Sequence, residues 1–271
     1  MVNAEFNILS AIAYTPASGV SQTSMLKPGT ASTLNYKEAS KLLNQKGFRY
    51  KDEATLIALV TAKHVLDQSP QLSEQEKMQC AVIVSSNLGN LNTVVENARL
   101  IHSEHVDSTS AMALPNASSN VTSASIAMVF QLRGPNLMLC NGKQSGLDAL
   151  QLAQDLMLSG RAERVLVVGV EVDNEFVRDL IKDSEQRFHG GAGYLIERSD
   201  LKFKRTADEI CAQIKTVETS DYPVSAEEVH YHSGDASGAT GVLQILLAVE
   251  HANKNESRSL THNGVHWRVK K

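Results

Sequence analysis

The sequence predicts an α/β fold in which helices cover both faces of a sheet, and three observations carry that reading. Cys80–Ser85 is a short apolar run flanked by polar residues, as a buried strand requires. Arg164–Val172, with Val165-Leu166-Val167-Val168-Gly169-Val170, is a central strand buried on both faces. Two long apolar helical stretches accompany them: Ser145–Leu158, closed by Ser159-Gly160, and Gly238–Ala252. Strands alternating with long helices are the pattern of a sheet sandwiched between helical layers.

The other elements follow in order. Phe6–Tyr14 is a first strand, ended by Pro16 and Gly19, and the polar stretch Ser18–Thr33 is a surface loop. Glu53–Asp67 spaces Leu56, Leu59, Val60 and Val65 at helical intervals ahead of the turn-forming Ser69-Pro70. A helix is expected from about Leu91 to Ile101, and another over Asn116–Phe130, where small residues accompany Ile126, Val129 and Phe130. Leu137–Cys140, Gly193–Glu197, Ala212–Val217 and Val265–Val269 are the remaining expected strands.

At 271 residues the chain is long enough for one large domain or two small ones. Hydrophobic residues make up 42% and charged residues 21%, the balance of an ordinary soluble globular protein. A net charge of −4 gives no argument for nucleic acid or an anionic membrane. No apolar run approaches the roughly 18 residues of a membrane span. Met1–Phe6 lacks the basic region and apolar core of a signal peptide, so a cytoplasmic, reduced protein is expected. Cys80, Cys140 and Cys211 are too widely spaced for a disulfide framework or a metal motif, and Cys140 is expected to be a buried structural thiol.

One segment carries chemistry. Arg133-Gly134-Pro135-Asn136-Leu137-Met138-Leu139-Cys140-Asn141-Gly142-Lys143-Gln144-Ser145-Gly146 resembles the nucleophile-elbow segment of β-ketoacyl synthases. In that family Arg-Gly-Pro-Asn-Leu leads into a strand, then a Cys followed by Ala-Ser-Gly opens a long buried helix. Gly134-Pro135-Asn136-Leu137 and Ser145-Gly146 match that pattern, and the cysteine position is Lys143. A one-residue gap would place Gln144 there instead.

Further segments resemble the same thiolase superfamily in the same order. Ser85-Ser86-Asn87-Leu88-Gly89-Asn90-Leu91 is similar to its early Gly-rich turn. Met112-Ala113-Leu114-Pro115-Asn116 resembles the Met-x-x-Pro-Asn element beside the acyl pocket and the dimer contact. Glu171 falls at the end of the Gly-Gly-x-Glu pattern, and Gly190-Gly191-Ala192-Gly193 resembles the run after the gating loop, without its Glu. Ala212–Val217 with Ser220-Asp221 resembles the junction between the family's two halves.

Beyond residue 222 the resemblance breaks up. The His-Gly-Thr-Gly-Thr motif is absent, and Ser233–Gly241 resembles Gly-His-x-x-Gly-Ala-Ala-Gly with Asp235 in place of the histidine. His230 falls where the family has a lysine. The resemblance implies a thiolase-like layered sandwich, a single ketosynthase-like domain over residues 1–271. Its N-terminal half, about 1–200, is intact, and its C-terminal half, about 201–271, is abbreviated. That abbreviation removes surface covering the second half, an expectation that favours an obligate partner.

Condensation needs a thiolate to hold the acyl chain and imidazoles to stabilise charge developing on the extender thioester. Lys143 supplies no thiolate, and Asp235 would repel that charge, so neither these positions nor His230 is expected to be catalytic. Lys143 is expected to fill the vacant cysteine pocket, paired with Asp235; a buried Lys143 forming Schiff bases is the chemical alternative. His230 and His232, placed on one side of a strand, with Asp235 and His189 are metal-ligating residue types. No further motif completes a set, so neither a metal nor a cofactor is expected.

The resemblance therefore implies a chain-length-factor-like subunit. Its partner would be a full-length β-ketoacyl synthase in a type II polyketide or fatty-acid-like system, aryl-polyene pathways included. Met112, Ala113, Leu114, Pro115, Asn116, Lys143 and Gln144 would lie at the acyl tunnel or dimer interface. Acyl carrier protein would dock through the partner. The alternatives are an enzyme with altered chemistry in the same cavity, a hydrolase or a Lys143-dependent catalyst, and a homodimer binding acyl chains or acyl carrier protein.

Overall fold

Nine strands form one continuous sheet in the computed structural model, which describes residues 4–21, 32–182, 186–201, 205–218, 223–254 and 256–271. In chain order the strands are β1 (Glu5–Thr15), β2 (Gly19–Ser21), β3 (Cys80–Ser85), β4 (Asn136–Leu139), β5 (Arg164–Glu171), β6 (Gly190–Arg198), β7 (Ala212–Val217), β8 (Arg258–His262) and β9 (Val265–Lys270). Across the sheet they run β4-β3-β5-β6-β1-β7-β9-β8, with β2 folded back on β1. β3 pairs in parallel with β4 and β5, while β1, β6, β7, β8 and β9 are joined by antiparallel pairings.

The helices are α1 (Tyr36–Leu43), α2 (Glu53–Asp67), α3 (Glu74–Met78), α4 (Leu91–Glu104), α5 (Val121–Phe130), α6 (Ser145–Leu158), α7 (Glu175–Ile181), α8 (Ala226–Ser233) and α9 (Thr240–Asn253). Alternation along each strand divides the core in two. Val82, Val84, Leu166, Val168 and Leu195 pack with α2 and α5 on one face. Ala81, Ile83, Val165, Val167, Tyr194 and Ile196 pack with α6 and α9 on the other. The sheet wraps α9, which contacts β5 and β6 on one side and β8 and β9 on the other. This is the expected α/β sandwich.

The strongest sequence signals match their elements. Cys80–Ser85, Glu53–Asp67, Ser145–Leu158 and Ala212–Val217 have the expected boundaries. The helix expected from Asn116 begins at Val121, because Leu114–Ala117 forms a 3-10 turn first. The strand expected at Gly193 already starts at Gly190. The short helices α1, α3, α7 and α8 and the strands β2 and β8 have no counterpart in the sequence reading. His230 and His232 lie on α8, a helix rather than a strand. Most of the expected 18–33 loop and the Ser220-Asp221 turn lie outside the described residues.

Helices α6 and α9 meet at glycines. A methyl group on Gly146 would sit 2.5 Å from the Val242 backbone nitrogen and 2.7 Å from the Gly241 Cα. The C-terminal hairpin then locks onto α6: Trp267 Nε1 donates to Gln154 Oε1 at 2.8 Å, and His262 Nε2 lies 2.5 Å from Asp148 Oδ1. At the opposite edge of the core, the buried Arg164 pairs with Glu197 at 3.0 Å and Glu76 at 2.8 Å, satisfying a charge that burial would otherwise penalise.

The face of β7 and β9 turned away from α9 carries Gln213, Lys215, His266, Arg268 and Lys270, alternating with the buried Ile214, Trp267 and Val269. Water can cover such a face.

Gly146→Ala is expected to lower unfolding free energy by about 1–3 kcal/mol or more, because backbone rather than a flexible side chain occupies the space. Denaturant unfolding of the purified chain checks this, with Gly160→Ala, where no heavy atom lies near the added methyl, as the comparison for strain alone.

Candidate functional site

The elbow turn lies between the end of β4 and the start of α6. Ser145, fully buried at the first position of α6, organises it: its Oγ accepts from Asn141 N at 2.5 Å and lies 2.9 Å from Gly142 O. Gly142 N donates to Asn87 Oδ1 at 3.0 Å, and Asn87 Nδ2 donates to Ser237 Oγ at 2.7 Å. Asn87 thus joins the turn after β3, the elbow and the loop before α9.

Lys143 projects from this turn with 58% of its side chain exposed, and its Nζ lies 3.5 Å from Asp235 Oδ1. The lysine does not fill a pocket; the turn presents it to solvent, where only its charge is partnered. Asp235 Oδ2 lies 3.2 Å from Arg187 Nη1, and the Arg187 side chain is 5% exposed. Asp235 Oδ1 also accepts from Ser237 N at 3.2 Å. The Asp235 carboxylate therefore bridges a buried guanidinium and an exposed ammonium. Exposed in this way, Lys143 lacks the burial that the Schiff-base alternative requires.

Beneath this pair lies Glu171, buried at the end of β5. Its Oε1 accepts from Asn87 N at 2.7 Å and Gly238 N at 2.9 Å. Its Oε2 accepts from Ser86 Oγ at 3.2 Å and Leu88 N at 3.3 Å. Burial pushes the Glu171 carboxyl up to about 7, against the pull of these donors toward the ionised form. The approach is close: a methyl on Gly238 would stand 2.8 Å from both Glu171 Oε1 and Asn87 N.

The Met112–Asn116 element is tied to the same turn. Asn90 Nδ2 donates to Asn116 O at 2.6 Å, and Lys51 Nζ donates to Asn116 Oδ1 at 3.0 Å. Asn116 is buried, whereas Met112 and Leu114 face outward, 66% and 45% exposed. A polar cleft of about 300 Å³ adjoins this element, lined by Lys51, Asp52, Asn92, Glu96 and Ala113 among others. Within this chain, then, Met112 and Leu114 do not line an enclosed apolar tunnel.

The remaining expected residues separate. Gln144 is exposed at the start of α6, and His230 is exposed on α8. His189 is engaged elsewhere: its Nδ1 accepts from Asp173 N at 3.0 Å and its Nε2 lies 3.5 Å from Glu53 Oε1. No cluster of three or more metal-ligating side chains occurs among the described residues. Cys140 is exposed rather than buried, because β4 is an edge strand ending in the open turn; Cys80 is the buried thiol, pushed up to about 12 by desolvation.

Asn87, Arg187, Ser237 and Lys51 went unassigned in the sequence. Asn87 sits in the Gly-rich turn after β3, where the sequence gives its side chain no distinct role, and Arg187 has no local signal.

The profile of the β-ketoacyl synthase N-terminal domain matches residues 16–177. The chain belongs to that family. Among solved structures, the chain is similar to the ishigamide ketosynthase/chain length factor at 17% identity, with a TM-score of 0.72, covering 97% of this chain and 98% of that one. A type II PKS acyl-carrier protein complex with its ketosynthase gives 12% identity and a TM-score of 0.76, covering 98% and 99%. A ketosynthase in complex with its chain length factor from Xenorhabdus doucetiae gives 12% and 0.60, covering 100% of both chains. At these identities the likeness establishes the thiolase-like ketosynthase fold. No curated protein matches the sequence. No helix among the described residues is long and apolar enough to cross a membrane.

Glu171 gives this β-ketoacyl synthase relative a specific pH response. The unfolded carboxyl titrates near its ordinary 4.5 and the folded one near about 7, so between these values the folded state binds more proton. The contribution of Glu171 is fully present below pH 4.5 and is lost as pH rises toward 7. Glu171→Gln should flatten that slope and cost about 1–3 kcal/mol at pH 8, since one amide nitrogen must face N–H or O–H donors. Unfolding free energies from pH 4 to 8 test both effects.

Proposed function

We propose that this protein is a non-catalytic, chain-length-factor-like subunit that pairs with an active β-ketoacyl synthase in type II polyketide or fatty-acid-like biosynthesis. The observation that carries the reading is the Lys143–Asp235–Arg187 array standing where the family keeps cysteine and histidine. A salt-bridged array can hold two loops together, but it offers no thiolate to carry an acyl chain, and the Asp235 carboxylate would repel the developing charge. The single-domain reading belongs to the same proposal, and one sheet running through both halves supports it. A cytoplasmic location is part of the same proposal.

The open edge of the sheet supports a partner. Pro135 O and Leu139 O accept from Val82 N and Ser86 N of the β3 side, so alternation turns the N–H and C=O of Asn136 and Met138 outward. Nothing among the described strands pairs with that edge. Beside it stand the exposed Met128, 68% accessible, and the open turn 140–144. An unpaired edge with apolar neighbours is a place where another chain can add. Met112 and Leu114 would then contribute to an acyl tunnel completed by the partner, which supplies the cysteine and the imidazoles. The resemblance of the neighbours to ketosynthase and chain length factor assemblies supports this partner class.

Met138→Pro removes an outward N–H while leaving the β3 ladder in place, so it should abolish copurification with a coexpressed ketosynthase without loss of the folded chain. A stable homodimer that ignores the ketosynthase defeats the proposal and favours the homodimeric reading. Lys143→Cys is expected to show no condensation by the isolated chain, because the imidazoles are still missing. Turnover by that variant in a malonyl-dependent condensation assay would refute the claim of a dismantled site.

A further inference from the structure

The polar cleft of about 300 Å³ beside Met112–Asn116 lies between the start of α2 and α4, and its two walls differ in chemistry. One wall is Arg49-Tyr50-Lys51. The other carries Asn92 and Glu96, one helical turn apart and so on one face of α4. Asp52 sets the distance between the walls. Its Oδ1 accepts from Ala54 N of α2 at 3.1 Å, and its Oδ2 accepts from Thr93 N and Thr93 Oγ1 of α4, each at 3.0 Å. Glu53 Oε1 accepts from Leu34 N at 2.7 Å, so these two carboxylates are committed to the frame. Other cleft groups are not. Among the described residues Arg49 and Lys51 make no ion pair: Arg49 lies over the Tyr50 ring, and Lys51 Nζ donates to Asn116 Oδ1 at 3.0 Å. Burial pulls the Lys51 ammonium below its ordinary value, because no anion offsets the hydration it loses. On the facing wall the Asn92 Oδ1 is buried without a hydrogen-bond partner, a costly state for a carbonyl oxygen. Glu96 stands exposed at the rim.

We propose that this cleft binds a small zwitterion of the α-amino-acid class, its carboxylate toward Lys51 and Arg49 and its ammonium toward Asn92 Oδ1 and Glu96. An α-amino acid carries both charges near neutral pH, and each meets the wall that lacks it. Lys51 gains the anion that its burial calls for, and Asn92 Oδ1 gains a donor. Leu100 and Ala113 add aliphatic surface to the lining, which suits a short apolar side chain. A nucleotide is the poorer fit, because the volume lies at the small end of ligand pockets. An acyl chain is poorer still, because charged and polar groups dominate the lining. Every group invoked belongs to this chain, so binding does not depend on the subunit reading.

Calorimetric titration of the full chain with glycine, alanine and valine tests this, with propionate as the anion-only probe and propylamine as the cation-only probe. The best amino acid should bind about tenfold or more tightly than either single-charge probe, the worth of one further charged hydrogen bond. Asn92→Leu should weaken that amino acid by about tenfold. Its thermal midpoint should be equal or higher, since a buried acceptor without a partner is removed and no bond is lost. Glu96→Gln, a change at an exposed position, should weaken the amino acid while sparing propionate, because only the ammonium loses a charge partner. Absence of binding by all of these amino acids overturns the inference, as does propionate or propylamine binding as tightly as the best of them. Unchanged amino-acid affinity in either variant overturns it too. A lowered midpoint or an unfolded chain in Asn92→Leu assigns the amide to the fold instead, and overturns its place in the site.

Discussion

Glu171 ends β5 inside the protein, and four donors from two separate loops converge on its carboxylate. One loop is the Ser86–Leu88 turn, which carries Asn87 and hence the elbow. The other begins at Gly238 and leads into α9. A buried acceptor with two oxygens fixes both distance and direction, so neither loop can shift without leaving an unsatisfied group. The rest of the pocket is built outward from this point: Asn87 holds Gly142, Ser145 closes the turn, and Asp235 faces Lys143. The close passage of α6 over α9 at Gly146 and Gly241 follows from the same placement of their starting loops.

Such an arrangement sets a charge pair at the surface of a turn that buried polar groups hold in shape. The support beneath the site, Ser145 and Glu171, is in position. The residues at its surface, Lys143 and Asp235, hold each other. In the proposed reading the loops around the site are kept because they face a partner, and the open β4 edge and the exposed elbow are where that chain meets this one.

Sequence reasoning was strongest where a single element decides its own structure. Cys80–Ser85 and the expected Arg164–Val172 are apolar on both faces, and α2 and α6 carry long helical patterns, so these elements were readable, β5 ending one residue earlier at Glu171. The short helices α1, α3, α7 and α8 were not, because a helix of five to eight residues offers little more than two turns of periodicity at most and takes its stability from neighbours. The placement of His230 and His232 on a strand failed for this reason. Cys140 was misjudged because its burial depends on whether β4 is central or marginal, and strand order is a property of the whole sheet.

For the site, the chain itself placed Lys143 and Asp235 at the positions that the resemblance gives to a cysteine and a histidine, and neither side chain is a thiolate or an imidazole. Only the tertiary structure decided what stands in their place. It brought Arg187 and Asp235 together across 48 positions, set Lys143 against the same carboxylate, and made Asn87 the joint between three loops. Residue identity limits the reactions a side chain can perform, but the partners that pin it come from distant segments, and no local pattern encodes that distance.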